Sequence, residues 1–81
     1  MRARVQLPKY LAKLLRSEMV QAIYEANLGT EESRIAKRYL IDHWPQIDIA
    51  AQMGCDRSTI SKRMPQILDK VEAAAKALRK E

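Results

Sequence analysis

Residues 45–64 have the sequence PQIDIAAQMGCDRSTISKRM, which predicts two short helices joined by a tight turn. The first helix is expected to bury one apolar face. That face consists of Ile47, Ala50, Ala51 and Met53. Gly54 then interrupts the pattern, and it suits a sharp turn because glycine takes a positive φ without a Cβ clash. Asp56 follows as a predicted N-cap, whose carboxylate can accept from the amides of the next turn.

The second helix of this stretch is predicted to begin at Arg57. Ile60 and Met64 lie one turn apart and face the core, and the small Ala50 lets the two helices approach closely. The opposite, outward side carries cationic and hydroxyl groups and no acid. It consists of Arg57, Ser58, Ser61 and Lys62. Such groups hydrogen-bond to base edges and phosphates in a DNA major groove.

The length and composition predict one small all-α domain. The chain has 81 residues, of which 47% are hydrophobic and 31% charged, with two glycines, three prolines and no hairpin signal. We therefore expect a small helix-turn-helix bundle of four to five helices spanning residues 1–81. A chain this short builds only a thin core, so dimerisation or DNA binding is expected to contribute to its stability.

The charge balance narrows the choice of partners and sites. A net charge of +5 suits a polyanion, although solubility alone also explains it. The single cysteine, Cys55, excludes an intramolecular disulfide and is predicted to be a buried small hydrophobe. No signal peptide and no run of about 20 apolar residues is present, so we expect a cytoplasmic protein that does not enter a membrane.

The N-terminal part is divided into a basic arm, residues 1–6, and an amphipathic helix, residues 7–28, that ends with Gly29 as its C′ residue. The first seventeen residues contain only basic charges. These are Arg2, Arg4, Lys9, Lys13 and Arg16. They form either a solvated helix face or a second phosphate-contacting surface beside the reading helix.

The middle of the chain predicts a helix from about Glu31 to His43, with Thr30 as its N-cap. The residues expected to face the core are Ile35, Tyr39 and either Leu40 or Ile41. Trp44 follows this helix and is expected to fill the core at the junction with the next helix. His43 has no carboxylate, cysteine or second histidine at ligand spacing. We therefore predict neither a metal site nor a cofactor.

The C-terminal part leaves two alternatives at Pro65. Residues 31–64 form the predicted helix-turn-helix core and residues 65–80 a C-terminal helix. Yet one helical phase continues across Pro65, which favours a single kinked helix slightly over two helices. Val71, Ala75 and Leu78 form an apolar stripe. This stripe must pack either on the N-terminal helix or on a symmetry mate.

Residues 31–68 resemble the fourth conserved region of bacterial sigma factors, the helix-turn-helix that recognises the −35 promoter element. The matching pieces are the acidic helix start before Ile35, Tyr39-Leu40, Gln46, Ile49-Ala50, Met53-Gly54 and the sequence RSTIS at residues 57–61. The chain departs from the family at His43-Trp44, where a glycine-containing turn is common. It also lacks room for the promoter-melting and main polymerase-binding regions. The resemblance therefore implies a free-standing module, similar to small regulators of phages and mobile elements.

The resemblance also implies roles for individual residues. Gln46 would contact a backbone phosphate at a helix N-terminus. Bases would be faced by Arg57, Ser58, Ser61 and Lys62. Thr59 and Arg63 would hold the edge of the strand.

Function is predicted to be sequence-specific binding of double-stranded DNA by a transcriptional regulator. One reading helix covers a half-site, so a homodimer or RNA polymerase as co-binder is expected. Two alternatives stay open: a module that docks on RNA polymerase or another protein, and a recombination accessory factor that bends DNA. An enzyme is not predicted, because the sequence lacks paired catalytic carboxylates and a phosphate-binding glycine loop.

Overall fold

Helices and the turns between them account for residues 9–79, the part of the chain that the computed structural model describes. Helix α1 spans Lys9–Ala12, α2 Arg16–Glu25, α3 Thr30–Ala36, α4 Gln46–Met53 and α5 Arg57–Arg79. A π-helical segment, Lys37–Ile41, continues α3. The predicted all-α class is confirmed, with five helices and no strand in this range. The predicted basic arm, residues 1–6, lies outside it.

The single N-terminal helix predicted for residues 7–28 is wrong, because the structure breaks it into α1 and α2. Leu15 is extended (φ −73°, ψ 160°) and lies at the N-cap of α2. Its backbone N–H donates to the Glu18 carboxylate at 2.9 Å, which stabilises the new helix start. The break leaves Leu11 fully buried, whereas Leu15 is 67% exposed.

The turn between α2 and α3 uses a different residue from the one predicted. Asn27 has the left-handed conformation (φ 57°) just after α2, so asparagine and not Gly29 terminates the helix. Gly29 has φ −67° and is the N-cap of α3, one residue before the predicted Thr30. Its carbonyl accepts from the Ser33 N–H at 2.8 Å, which begins the helix.

The predicted helix of residues 31–43 is present but ends as a π-helix. The Asp42 N–H donates to the Lys37 carbonyl five residues back at 3.1 Å. His43 then takes a positive φ of 60°, and the Trp44 N–H closes the end by donating to the Arg38 carbonyl at 2.9 Å. His43 thus occupies the left-handed position for which glycine is the common choice.

The corner between α4 and α5 has the predicted left-handed glycine. Gly54 caps α4 in the left-handed conformation (φ 71°, ψ 34°). The Asp56 backbone carbonyl accepts from the Thr59 N–H at 3.0 Å and from the Ile60 N–H at 3.4 Å as α5 begins. Ile49 and Ala50 are the buried residues of α4. The predicted apolar face is therefore wrong at Ile47, which is 58% exposed, and at Ala51.

Helix α5 is a single helix of 23 residues that contains Pro65 in its interior. The interpretation of one helix through Pro65 is confirmed, and the separate C-terminal helix of residues 65–80 is wrong. A stripe of inward-facing apolar residues explains this continuity, because these residues keep the same helical spacing before and after the proline. It consists of Ile60, Met64, Ile67, Leu68, Val71 and Ala75. Pro65 lacks the N–H that would donate to the Ser61 carbonyl, but both residues are exposed, so water can reach the acceptor that is left over.

Apolar side chains from all five helices meet in one core. The largest fully buried ones are Leu11, Ile23, Ile35, Ile49, Ile60, Met64, Ile67 and Val71. Helix α2 packs against α5 within the same chain, as predicted, and Arg79 forms an ion pair with Glu18 at 3.3 Å. Trp44 and Cys55 are half-buried and pack against this core. Within residues 9–79, none of the helices combines the length and apolar character that crossing a bilayer requires.

Candidate nucleic-acid interface

The first two turns of α5 present a polar ridge to solvent. The ridge consists of Arg57, Ser58, Ser61 and Lys62, all of which are exposed. Ile60 and Met64 on the same turns are buried, and they hold the helix against α4. Residues three and four positions apart are neighbours on a helix, so the pairs Arg57–Ser61, Ser58–Ser61 and Ser58–Lys62 place the ridge on one side of α5. The predicted exposure of these four residues is confirmed.

The ridge is cationic. Neither Arg57 nor Lys62 forms an ion pair with any residue in the range 9–79. Asp56 is exposed immediately before Arg57, yet no ion pair joins the two. Two positive charges therefore face solvent on one side of α5, where they can meet an anionic partner.

Two of the predicted site residues contact each other across the helix corner. The Ser61 hydroxyl donates to the Gln46 amide oxygen at 3.0 Å. Gln46 is the first residue of α4, so this bond ties the start of α4 to the ridge. The Gln46 amide nitrogen keeps its two donors, which can reach an acceptor outside the protein.

Arg63, for which a contact at the edge of the DNA strand is predicted, does not project freely into solvent. Its guanidinium pairs with the Glu31 carboxylate of α3 at 3.3 Å, and Thr59 next to the ridge is exposed. The pair lies on the surface, where solvent screening limits its strength to about 1 kcal/mol or less. An approaching phosphate can therefore compete with Glu31 for Arg63.

Glu32 adds a second link between α3 and α5. Its carboxylate accepts from the Lys70 ammonium at 3.5 Å and from the Gln66 amide at 3.4 Å. Together with the Glu31–Arg63 pair, these contacts link the surface of α5 to the start of α3.

The structure also reveals a residue that the sequence analysis missed. Arg38 lies with its guanidinium 4.7 Å from the centroid of the Trp44 ring. The same group donates to Asp42 at 2.9 Å and to Gln52 of α4 at 3.1 Å. Arg38 thus joins the π-helical segment to α4 and helps to hold the first helix of the corner. The spacing of Arg38 and Asp42, four residues apart on a helix, was the available signal.

Of the basic N-terminal residues, Arg2 and Arg4 lie outside the described range, and Lys9, Lys13 and Arg16 do not extend the ridge. Lys9, Lys13 and Arg16 are exposed, without an ion pair in the described part of the chain. However, α1 lies near the far end of α5, where the Lys76 ammonium is 5.5 Å from the Tyr10 ring. At 1.5 Å per residue, Lys76 lies about 20 Å along the helix axis from Lys62. A second phosphate-contacting surface beside the ridge is therefore not formed by α1.

These positions define a candidate interface made by the start of α4 and the start of α5. Four of its residues face solvent, namely Arg57, Ser58, Thr59 and Lys62. Ser61 is bonded to Gln46, and Arg63 is held by Glu31. Comparisons of the chain with protein-family models, with curated proteins and with solved structures give no match.

Proposed function

We propose that this protein is a transcriptional regulator that binds double-stranded DNA in a sequence-specific manner. In this proposal the first two turns of α5 enter the major groove and α4 lies across the backbone. The observation that carries the proposal is the exposed, unpaired cationic ridge directly after the left-handed corner at Gly54. The resemblance of residues 31–68 to sigma factor region four agrees with it.

The residues divide into two groups by their chemistry. Arg57 and Lys62 can donate to the acceptors of guanine, and Ser58 and Ser61 to either purine or pyrimidine edges. Gln46, Thr59 and Arg63 lie beside the ridge, where they can bind phosphates. Phosphate contacts supply most of the affinity and its salt dependence, while base contacts supply sequence preference.

One reading helix covers only a half-site, so the proposal includes a second DNA-binding unit. A homodimer on a palindromic site is one arrangement, and a complex with RNA polymerase is the other. Selection from a pool of random duplexes distinguishes them. A palindromic consensus indicates the homodimer, and a single asymmetric half-site indicates a different co-binder.

Arg57→Ala tests the assignment of base contacts. The variant should bind the selected site about 1–3 kcal/mol more weakly and lose preference at one base position, because a bidentate contact to guanine is removed. Arg79→Ala is the matched control, since it removes the same charge about 33 Å farther along α5. Arg63→Ala should instead weaken binding to all duplexes about equally, as expected for a phosphate contact. Binding of every duplex as tightly as the parent by both Arg57→Ala and Arg63→Ala would contradict this assignment.

Two further assays separate the proposal from its alternatives. A protein-docking module should form no DNA complex even at low salt, whereas a DNA binder should lose affinity steeply as salt rises. A recombination accessory factor should bend the selected site. A circular-permutation mobility assay on that site measures the bend directly.

A further inference from the structure

A groove lies between α2 on one side and α3 with its π-helical extension on the other. Its volume is about 650 Å³, which is in the range of sites that bind small ligands or a few side chains of a partner. None of its lining residues belongs to the ridge or to the start of α4. The groove is therefore a separate surface from the candidate nucleic-acid interface.

The floor of the groove is apolar. It consists of Val20, Ile23, Leu28 and Ile41. Val20 is 47% exposed, and Tyr24, one turn farther along the same face of α2, is 78% exposed. Exposed apolar side chains that cluster beside a groove are typical of a surface that binds another apolar surface.

The rim of the groove is positively charged. Arg34 and Lys37 are exposed, and within residues 9–79 neither forms an ion pair. The acid at the rim, Asp42, is already paired with Arg38 at 2.9 Å. Arg34 and Lys37 are three residues apart, so they lie on one side of the groove about one turn from each other.

We propose that this groove binds a short amphipathic helix of another protein, with apolar side chains on the floor and carboxylates facing Arg34 and Lys37. A helix laid into an apolar groove is a common mode of peptide recognition. Charge complementarity selects an acidic helix. A nucleic acid fits less well, because its phosphates gain nothing from an apolar floor.

A second copy of this chain is a poorer occupant. Within residues 9–79, five of the nine acidic residues are already in ion pairs. They are Glu18, Glu31, Glu32, Asp42 and Glu72. The other four, Glu25, Asp48, Asp56 and Asp69, lie in α2, α4, the corner and α5, so no single helix of a copy offers a row of carboxylates without breaking an ion pair. The proposal does not depend on DNA binding, and the two can be measured separately.

The test uses a displayed library of random 16-residue peptides and the full chain. We expect the enriched peptides to carry apolar residues at helical spacing together with Asp or Glu. Binding of the best peptide, labelled and followed by anisotropy, should weaken about tenfold or more in Arg34→Glu/Lys37→Glu, because each rim attraction becomes a repulsion. A peptide with lysine in place of its acids should regain affinity for that variant.

Controls keep the result specific to the groove. Arg57→Glu/Lys62→Glu makes the same charge change on the ridge and should leave peptide binding within about twofold. If the charge reversal unfolds the protein, Arg34→Gln/Lys37→Gln removes the two charges without reversing them. A smaller loss of peptide affinity is expected for this variant.

Three outcomes would overturn the proposal. The first is a library enriched in peptides without acidic residues. The second is equal peptide affinity in the parent and both groove variants. The third is sedimentation that shows self-association abolished by Val20→Glu, since a second copy would then occupy the groove.

Discussion

Ile47 and Ile49 are the same residue type two positions apart on α4, and the helix rotates by about 200° between them. The rotation places Ile49 fully in the core and leaves Ile47 58% exposed. Met53 lies four residues after Ile49, so both belong to one helical face. Counting back from Met53 therefore identifies Ile49, and not the predicted Ile47, as the buried isoleucine.

We expect Ile49→Ala to lower the free energy of unfolding by about 2–4 kcal/mol, because it leaves a cavity in a close-packed core. Ile47→Ala should change it by less than about 0.5 kcal/mol. Urea denaturation followed by circular dichroism measures both. Ile49→Val, with an expected loss of about 0.5–1.5 kcal/mol, serves if the alanine variant does not fold. Equal losses for the two alanine variants would contradict this placement of α4.

Glu31 influences the interface without belonging to it, since it holds Arg63 at 3.3 Å. Glu31→Gln should raise affinity for every duplex by about two- to fivefold, because Arg63 then binds phosphate without first leaving a carboxylate. The salt dependence of binding should steepen by about one phosphate contact.

Glu72→Gln is the matched control for Glu31→Gln. Glu72 pairs with Lys76 at 3.2 Å, and it lies about 13 Å along α5 from Arg63. Beyond a Debye length this charge change is largely screened, so affinity should stay near that of the parent. If the two variants gain affinity equally, Arg63 is not the residue that Glu31 holds back.

At the scale of elements, the corner between α4 and α5 depends on the backbone of one residue. A Cβ at Gly54 meets no atom within 4 Å, so only its φ of 71° opposes a side chain. Gly54→Ala should therefore lower the free energy of unfolding by about 1–2 kcal/mol through left-handed strain alone. Gly29→Ala, where φ is −67° and space is equally open, should change it by less than about 0.5 kcal/mol. Thermal or urea denaturation of both variants tests this, and a loss at Gly29 as large as at Gly54 would refute it.

The elements that could be predicted are those that a local pattern determines. The corner follows from Gly54, and α5 follows from an apolar phase that Pro65 does not interrupt. The break at Leu15 could not be predicted in this way, because no proline or glycine marks it. The π-helical segment likewise depends on one shifted hydrogen bond, from Asp42 to Lys37, that no residue type specifies.

The residues of the candidate site likewise divide into those that a local pattern predicts and those that it does not. Exposure of Arg57 and Lys62 follows from the positions of Ile60 and Met64 on one helix, so the sequence predicts it. The contacts of Ser61 with Gln46 and of Arg63 with Glu31 join residues 15 and 32 positions apart. Contacts of that range depend on how helices pack together, which helical spacing alone does not reveal.

At the scale of the whole molecule, stability and the proposed DNA binding rest on different forces. Every buried side chain in the described range is apolar, and the five ion pairs found there lie at the surface. Apolar burial responds weakly to moderate salt, whereas release of counterions from DNA responds strongly.

Raising NaCl from about 50 to about 200 mM should therefore lower DNA affinity about 40-fold if three phosphates are contacted. The free energy of unfolding should change by less than about 1 kcal/mol over the same range. Anisotropy of a labelled duplex and urea denaturation in the same buffers give the two values. A large loss of stability together with a DNA affinity that does not change with salt would contradict this assignment of forces.

Trp44, with Arg38 stacked on its ring, gives the protein a built-in optical probe. The chain has a single tryptophan, and the Arg38 group that covers its ring also reaches Gln52 on α4. The indole emission therefore comes from one place, the joint between the π-helical segment and the first helix of the corner. Unlabelled protein in a fluorimeter can thus report whether that joint is closed, while far-UV signals report on the helices as a whole.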